Sequence, residues 1–186
     1  MSTTLWTSTL TLPASPARDH ITGPADAAVT LLEYGDYECP VCAAAHPIVK
    51  TILAQAGDAV RYAFRHFPMT SMHPHAELAA EAAEAAGTQG KFWSMHDILF
   101  ANQQRLDGPS LAAYAAAMDL DVSRFCNEIA AHSHLRKISE DFMSGVRSGV
   151  NGTPTFYING FRHDGGWDHA SLITALRDAA VASPAA

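Results

Sequence analysis

The spacing of apolar residues changes along the chain, and the changes mark its elements. AVTLLEYGDYE holds an unbroken apolar run from Ala28 to Leu32, which predicts a buried central strand over Val29 to Tyr34. After Cys39 the spacing turns helical. Ala43, Ala44, Ala45, Val49, Ile52 and Leu53 predict a helix ending near Gly57, kinked at Pro47, which lacks an amide donor. AVRYAFRHFP predicts a second strand, closed by Pro68. From His73 to about Gly149 the signals are all helical. HAELAAEAAEAA ends at Gly87, and GKFWSMHDILFANQ is amphipathic. Ser110 is expected to cap a short helix to Met118. Asp121 is expected to cap one long helix carrying Val122, Phe125, Ile129, Leu135, Ile138, Phe142 and Val146. Strand character returns in GTPTFYINGFRHDGG, with a hairpin turn at Asn159-Gly160, and Asp168 caps a last helix. Residues 1–25 read as an extension, in which the alternation of LWTSTLTL allows an edge strand. The order β-α-β, helical block, β-β-α defines an α/β/α sandwich.

Composition narrows the partners. With 186 residues, 48% hydrophobic and 17% charged, the chain suits one globular domain. The net charge of −7 and the lack of any lysine or arginine block argue against a nucleic-acid or membrane-surface partner. No apolar run approaches the ~20 residues of a membrane span. The first residues carry no secretory-signal pattern, so a complete protein of this sequence is expected to be cytoplasmic.

The chemistry concentrates in DYECPVC. A C-x-x-C serves a redox pair or half of a zinc site. Zinc needs two further ligands. His46 is the nearest offer, and neither a second C-x-x-C nor an H-x-x-x-H completes a set, so no metal or other cofactor is expected. For the redox reading, Pro40 suits the first helical position and leaves Cys39 at the helix N-terminus, where amide donors and the dipole favour a thiolate. Cys42, almost one turn inward, can attack a mixed disulfide formed at Cys39. Asp36 and Glu38 oppose the thiolate by raising the thiol pKa. Glu33, in an apolar strand, has a raised pKa if buried and can accept the proton from Cys42.

EYGDYECPVC, RHFPMTSMHPHAELAAEAAEAAGTQGKFWSMHDILF and GVNGTPTFYINGF together resemble the DsbA-like branch of the thioredoxin superfamily, over roughly residues 26–182. The resemblance implies a thioredoxin fold in which 26–70 and 150–182 form the thioredoxin-like domain and 71–149 a helical insertion. It implies Cys39 as attacking and Cys42 as resolving thiol, with Glu33 as proton acceptor. Thr153 and Pro154 would form a cis-proline loop that contacts substrate together with Pro40 and Val41. The implied substrates are cysteine-containing proteins or peptides, with glutathione or another oxidoreductase as redox partner. The Pro40-Val41 pair lacks the histidine that strongly oxidising periplasmic members place between the cysteines. Two other readings are a glutathione-dependent enzyme on a small organic substrate, which has no need of Cys42, and a binding or chaperone module, which needs neither cysteine.

The remaining candidates read as structural. His96 and the set Phe92, Trp93, Met95 and Phe100 are expected in the core, as is Cys126. His46 is expected to be packed or partly exposed on its helix. Glu77, Glu81 and Glu84 are expected on a solvated face, and the histidines of MHPH and HSH at the surface or as caps.

Overall fold

The longest apolar run folds as the middle of the sheet. In the computed structural model, which describes residues 9–182, that run is β2 (Val29–Gly35). It is paired parallel with β3 (Val60–His66) and antiparallel with β4 (Thr155–Ile158). Both faces of this strand are buried under other elements, which is why the run is unbroken. β5 (Phe161–His163) continues β4 through a turn in which Asn159 and Gly160 both have positive φ, 49° and 85°. Such a two-residue turn matches the strand twist, and asparagine and glycine tolerate it.

The other edge comes from the N-terminal extension. β1 (His20–Thr22) pairs antiparallel with β3, giving the order β1-β3-β2-β4-β5. The expected edge strand around LWTSTLTL lies mostly outside the described residues. Within them, Thr9 bridges to Phe161 and the Leu10 amide donates to Gly160. The segment before β2 therefore touches both edges of the sheet.

The β-α-β link is α1 (Pro40–Ala56), a single helix that runs through Pro47 and ends at Gly57, whose φ is 53°. With α7 (His169–Ala182), it covers the face formed by Val29, Leu31, Phe64, Phe156 and Ile158. Leu32, Tyr34, Ala63 and Tyr157 point the other way, where Phe142 of α6 (Leu135–Ser148) packs in. Gly145 of α6 permits this contact, since a Cβ there would lie 2.8 Å from the Phe67 ring.

Between β3 and β4 stand α2 (Ala76–Gly87), α3 (Phe92–Ala101), α4 (Gly108–Ala117), α5 (Val122–Ala130) and α6. Four expectations are corrected here. The helix before Met118 starts earlier, capped by Asp107, whose carboxylate accepts from the Ser110 amide; Ser110 lies inside α4. The single long helix from Asp121 is two helices, because His132 takes a positive φ of 51° and stops α5. Glu81 and Glu84 are buried, and only Glu77 faces solvent. The run AELAAEAAEAA is short-sided enough for neighbouring helices to close over it, and both acids find basic partners. Cys126 is exposed, because one step past the buried Phe125 turns it about 100° round the helix. Among the described residues no helix is long and apolar enough to cross a membrane.

Candidate active site

Strand β2 alternates, so Glu33 shares a face with Leu31 and lies beneath the start of α1. It is 2% exposed, and Tyr62 Oη donates to its Oε2 at 2.7 Å. Burial raises the Glu33 pKa to about 7; the Tyr62 hydrogen bond works against the rise, and the nearby Cys39 charge adds to it. Gly35 keeps the room, since a Cβ there would sit 2.4 Å from the Phe64 ring and 3.1 Å from the Glu33 carboxylate.

Cys39 is the N-cap of α1 and Pro40 its first residue. Both thiols are free. The Cys39 pKa is lowered to about 5, first by a hydrogen bond from the Cys42 side chain, then by Thr153 and by the Cys42 and Val41 amides; burial opposes them. Cys42 is fully buried, and burial, its bond to Cys39 and the Glu33 charge all push its pKa well up. One thiol is thus set toward the thiolate and its neighbour held as a thiol.

The chain reaches the pair from the far side of the sequence through the Thr153–Pro154 peptide, which is cis. As a thiol, Cys39 Sγ donates to the Thr153 carbonyl at 3.4 Å. The structure therefore brings Cys39, Cys42, Glu33, Pro40 and Thr153 into one locus. Val41 is 42% exposed at its rim, and Pro154 is half-buried.

The net shift at Cys39 is downward, so the acids before the pair do not outweigh the hydrogen bonds that lower it. Buried Asp36 accepts from the Glu38 and Met69 amides, both at 2.8 Å, and pairs with His73 Nδ1 at 2.7 Å. Glu38 pairs with His75, accepting from its amide at 2.6 Å. His73 and His75, two apart, thus meet Asp36 and Glu38, two apart, and fasten the loop before Cys39 to the start of the insertion. That matched spacing was the available signal.

Two further residues escaped sequence reasoning. Gln103, after α3, donates from Nε2 to the Tyr37 and Cys39 carbonyls, both at 2.8 Å. A lone glutamine in a helical block carries no pattern that would reveal this. Tyr62 is the second; its place opposite Leu31 on β3 turns its ring to the face that holds Glu33.

The five-stranded sheet with a cysteine pair at the start of its crossover helix and a cis proline beside it is a thioredoxin-like arrangement. A family model described as thioredoxin (Thioredoxin_4) matches residues 15–178, and the chain belongs to that family. Among solved structures it resembles oxidised BdbD from Bacillus subtilis, with a TM-score of 0.80, 20% identity, and 94% of this chain and 97% of that one covered. It also resembles a thioredoxin-like oxidoreductase from Silicibacter pomeroyi, with a TM-score of 0.78, 26% identity, and 89% and 93% covered. Among curated sequences, the Na(+)/H(+) antiporter NhaA 1 of Salinispora arenicola is 46% identical over 170 residues, 91% of this chain and 26% of the relative. The antiporter NhaA of Herminiimonas arsenicoxydans is 42% identical over 167 residues, with 90% and 26% covered. The chain thus spans about a quarter of the length of the curated relatives it matches.

Proposed function

We propose that this chain exchanges disulfides with cysteine-containing proteins or peptides through the Cys39–Cys42 pair. The observation that carries the reading is the split between the two thiols: Cys39 lowered to about 5 at a helix N-terminus, Cys42 buried and pushed up behind it. At neutral pH Cys39 is the nucleophile. Its thiolate attacks a substrate disulfide, one sulfur of which leaves as a thiolate while the other joins Cys39 in a mixed disulfide. Cys42 then gives its proton to Glu33 and attacks Cys39 Sγ. The second substrate sulfur leaves, and the pair is left oxidised with two electrons passed to the substrate. Run backwards, the same steps oxidise a substrate dithiol.

The low pKa of Cys39 favours that second direction. A stabilised thiolate stabilises the reduced pair, and a pair that prefers to be reduced makes a stronger oxidant. Neither the histidine missing between the cysteines nor the acids before them cancels this, since amides and the Cys42 thiol supply the stabilisation. Thr153, Pro154, Pro40 and Val41 border the nucleophile and would receive an extended substrate segment there.

Equilibration in graded glutathione buffers followed by thiol trapping tests the reading. The expected result is one two-electron transition confined to Cys39 and Cys42, at a potential more oxidising than that of thioredoxin, about −270 mV. A Cys39→Ser protein should lose exchange with a peptide disulfide entirely. Exchange at an undiminished rate in that variant would sink the proposal.

A further inference from the structure

A second cluster of donor side chains lies one turn further along α1. His46 Nε2 is 3.0 Å from Asp97 Oδ1, and His96, the neighbour of Asp97 on α3, completes a trio whose donor atoms all lie within 4.8 Å of one another. These three side chains share a cavity of about 160 Å³ with Lys50, Tyr62 and Trp93.

We propose that His46, His96 and Asp97 bind one divalent transition-metal ion of the zinc class, between α1 and α3. Two imidazoles and a carboxylate are the donor set such ions take, with a water as fourth ligand. His96 points to a ligand independently of the cluster. It is 1% exposed and faces the cavity, and its Nδ1 is engaged by Tyr37 Oη at 3.0 Å. With a metal on Nε2, Nδ1 carries the proton and donates it to Tyr37, the outer contact that holds a ligating histidine in orientation. Nε2 has no protein hydrogen-bond partner among the described residues, although the ring is buried.

The donors must draw together. Tetrahedral zinc with bonds of about 2.0 Å holds its ligands about 3.3 Å apart. The widest gap here closes by rotation of His46 and Asp97, whose side chains are 14% and 44% exposed. Lys50 is the competitor: its ammonium sits 2.6 Å from Asp97 Oδ2 and must leave when the metal enters. Its side chain is 55% exposed and free to do so. Tyr62, in the wall of the same cavity, also donates to Glu33, so the ion would sit one side chain away from the buried carboxyl.

This proposal does not depend on the redox reading, and its test removes the thiols. Zinc chloride is titrated calorimetrically into protein in which Cys39, Cys42 and Cys126 are all serine. One equivalent should bind. His46→Ala and Asp97→Asn should each weaken binding at least about tenfold, while Lys50→Met should tighten it. Cobalt(II) in place of zinc should give tetrahedral visible absorption that His46→Ala abolishes. The absence of a one-equivalent transition, or zinc binding unchanged by both ligand substitutions, would overturn the site.

Discussion

A carboxyl buried beneath a helix keeps its proton to a higher pH, and Glu33 does so to about 7 against an ordinary value of 4.5. Between those values the folded chain holds a proton that the unfolded chain has released, so stability falls as pH rises from 4.5 to 7 and the loss is complete above 7. The shift amounts to about 3 kcal/mol. Glu33→Gln keeps an acceptor for Tyr62 and carries no charge. In the reduced state it should match wild type near pH 4 and exceed its stability by up to about 3 kcal/mol near pH 8, as read by urea unfolding. In the exchange proposed above, the same variant should slow the closing of the mixed disulfide, because glutamine cannot take a proton from Cys42. Equal stability of the two proteins at both pH values would show that Glu33 is not a buried acid. The residue type and its distance from Cys39 were readable in the sequence. That the strand's alternation turns it inward, to the same side as α1, needed the sheet.

At the scale of elements, the N-terminus of α1 carries the cysteine pair, and Gln103 and Thr153 meet it from elsewhere in the chain. Pro40 starts the helix, Gly57 ends it, and both were legible because each meets a backbone requirement fixed by its own geometry. The clamp was not. Gln103 holds the carbonyls of Tyr37 and Cys39 from more than 60 residues away in sequence. Gln103→Ala should cost about 1–2 kcal/mol of stability and also raise the midpoint of Cys39 thiolate formation above 5, followed by ultraviolet absorbance. A stability loss with an unmoved thiolate midpoint would mean that the clamp does not position the cysteine. Helix ends inside the insertion were harder to read for a related reason. Ala131 and His132 continue a good helical pattern, yet His132 leaves the helix, and its Nδ1 pairs with the buried carboxylate of Glu81 at 2.9 Å. A tertiary partner decided against local propensity.

The whole molecule is tied together by a charge network that crosses its layers. Arg65 of β3 is fully buried, with Asp19 at 2.8 and 2.9 Å, Tyr34 Oη at 2.9 Å, and the Leu12 and Pro13 carbonyls completing its shell. Arg18 and Lys137 meet Asp141 of α6, and Glu84 of α2 pairs with His20 of β1 and His66 of β3. The N-terminal extension is therefore a structural part of the domain, anchored at Arg65. Arg65→Ala leaves buried Asp19 with only the 3.3 Å contact to Arg18 and should cost about 3 kcal/mol, with faster proteolysis within residues 10–22. Asp19, whose pKa is lowered mainly against its own burial by Arg65, stabilises the fold above its ordinary 3.8 and ceases to do so as pH falls through its depressed value. Acid unfolding of the Arg65→Ala protein should accordingly be less steep than that of wild type. Wild-type stability in this variant would remove the anchor.

By itself the sequence determined the elements whose signals are local: the unbroken run of β2, the proline and glycine that bound α1, the Asn159-Gly160 turn, and the two cysteines one turn apart. Their order was enough for the α/β/α architecture, because few topologies connect β-α-β to a hairpin and helix. Tertiary structure alone decided which polar residues are inside. Glu81, Glu84, Arg65 and Asp36 look like surface residues in the chain, and each is buried because a partner distant in sequence meets its charge. The same holds for His46, His96 and Asp97, which only the packing of α1 against α3 brings together. A backbone rule acts within a few residues and can be read from them, whereas the cost of burying a charge depends on what the fold places beside it.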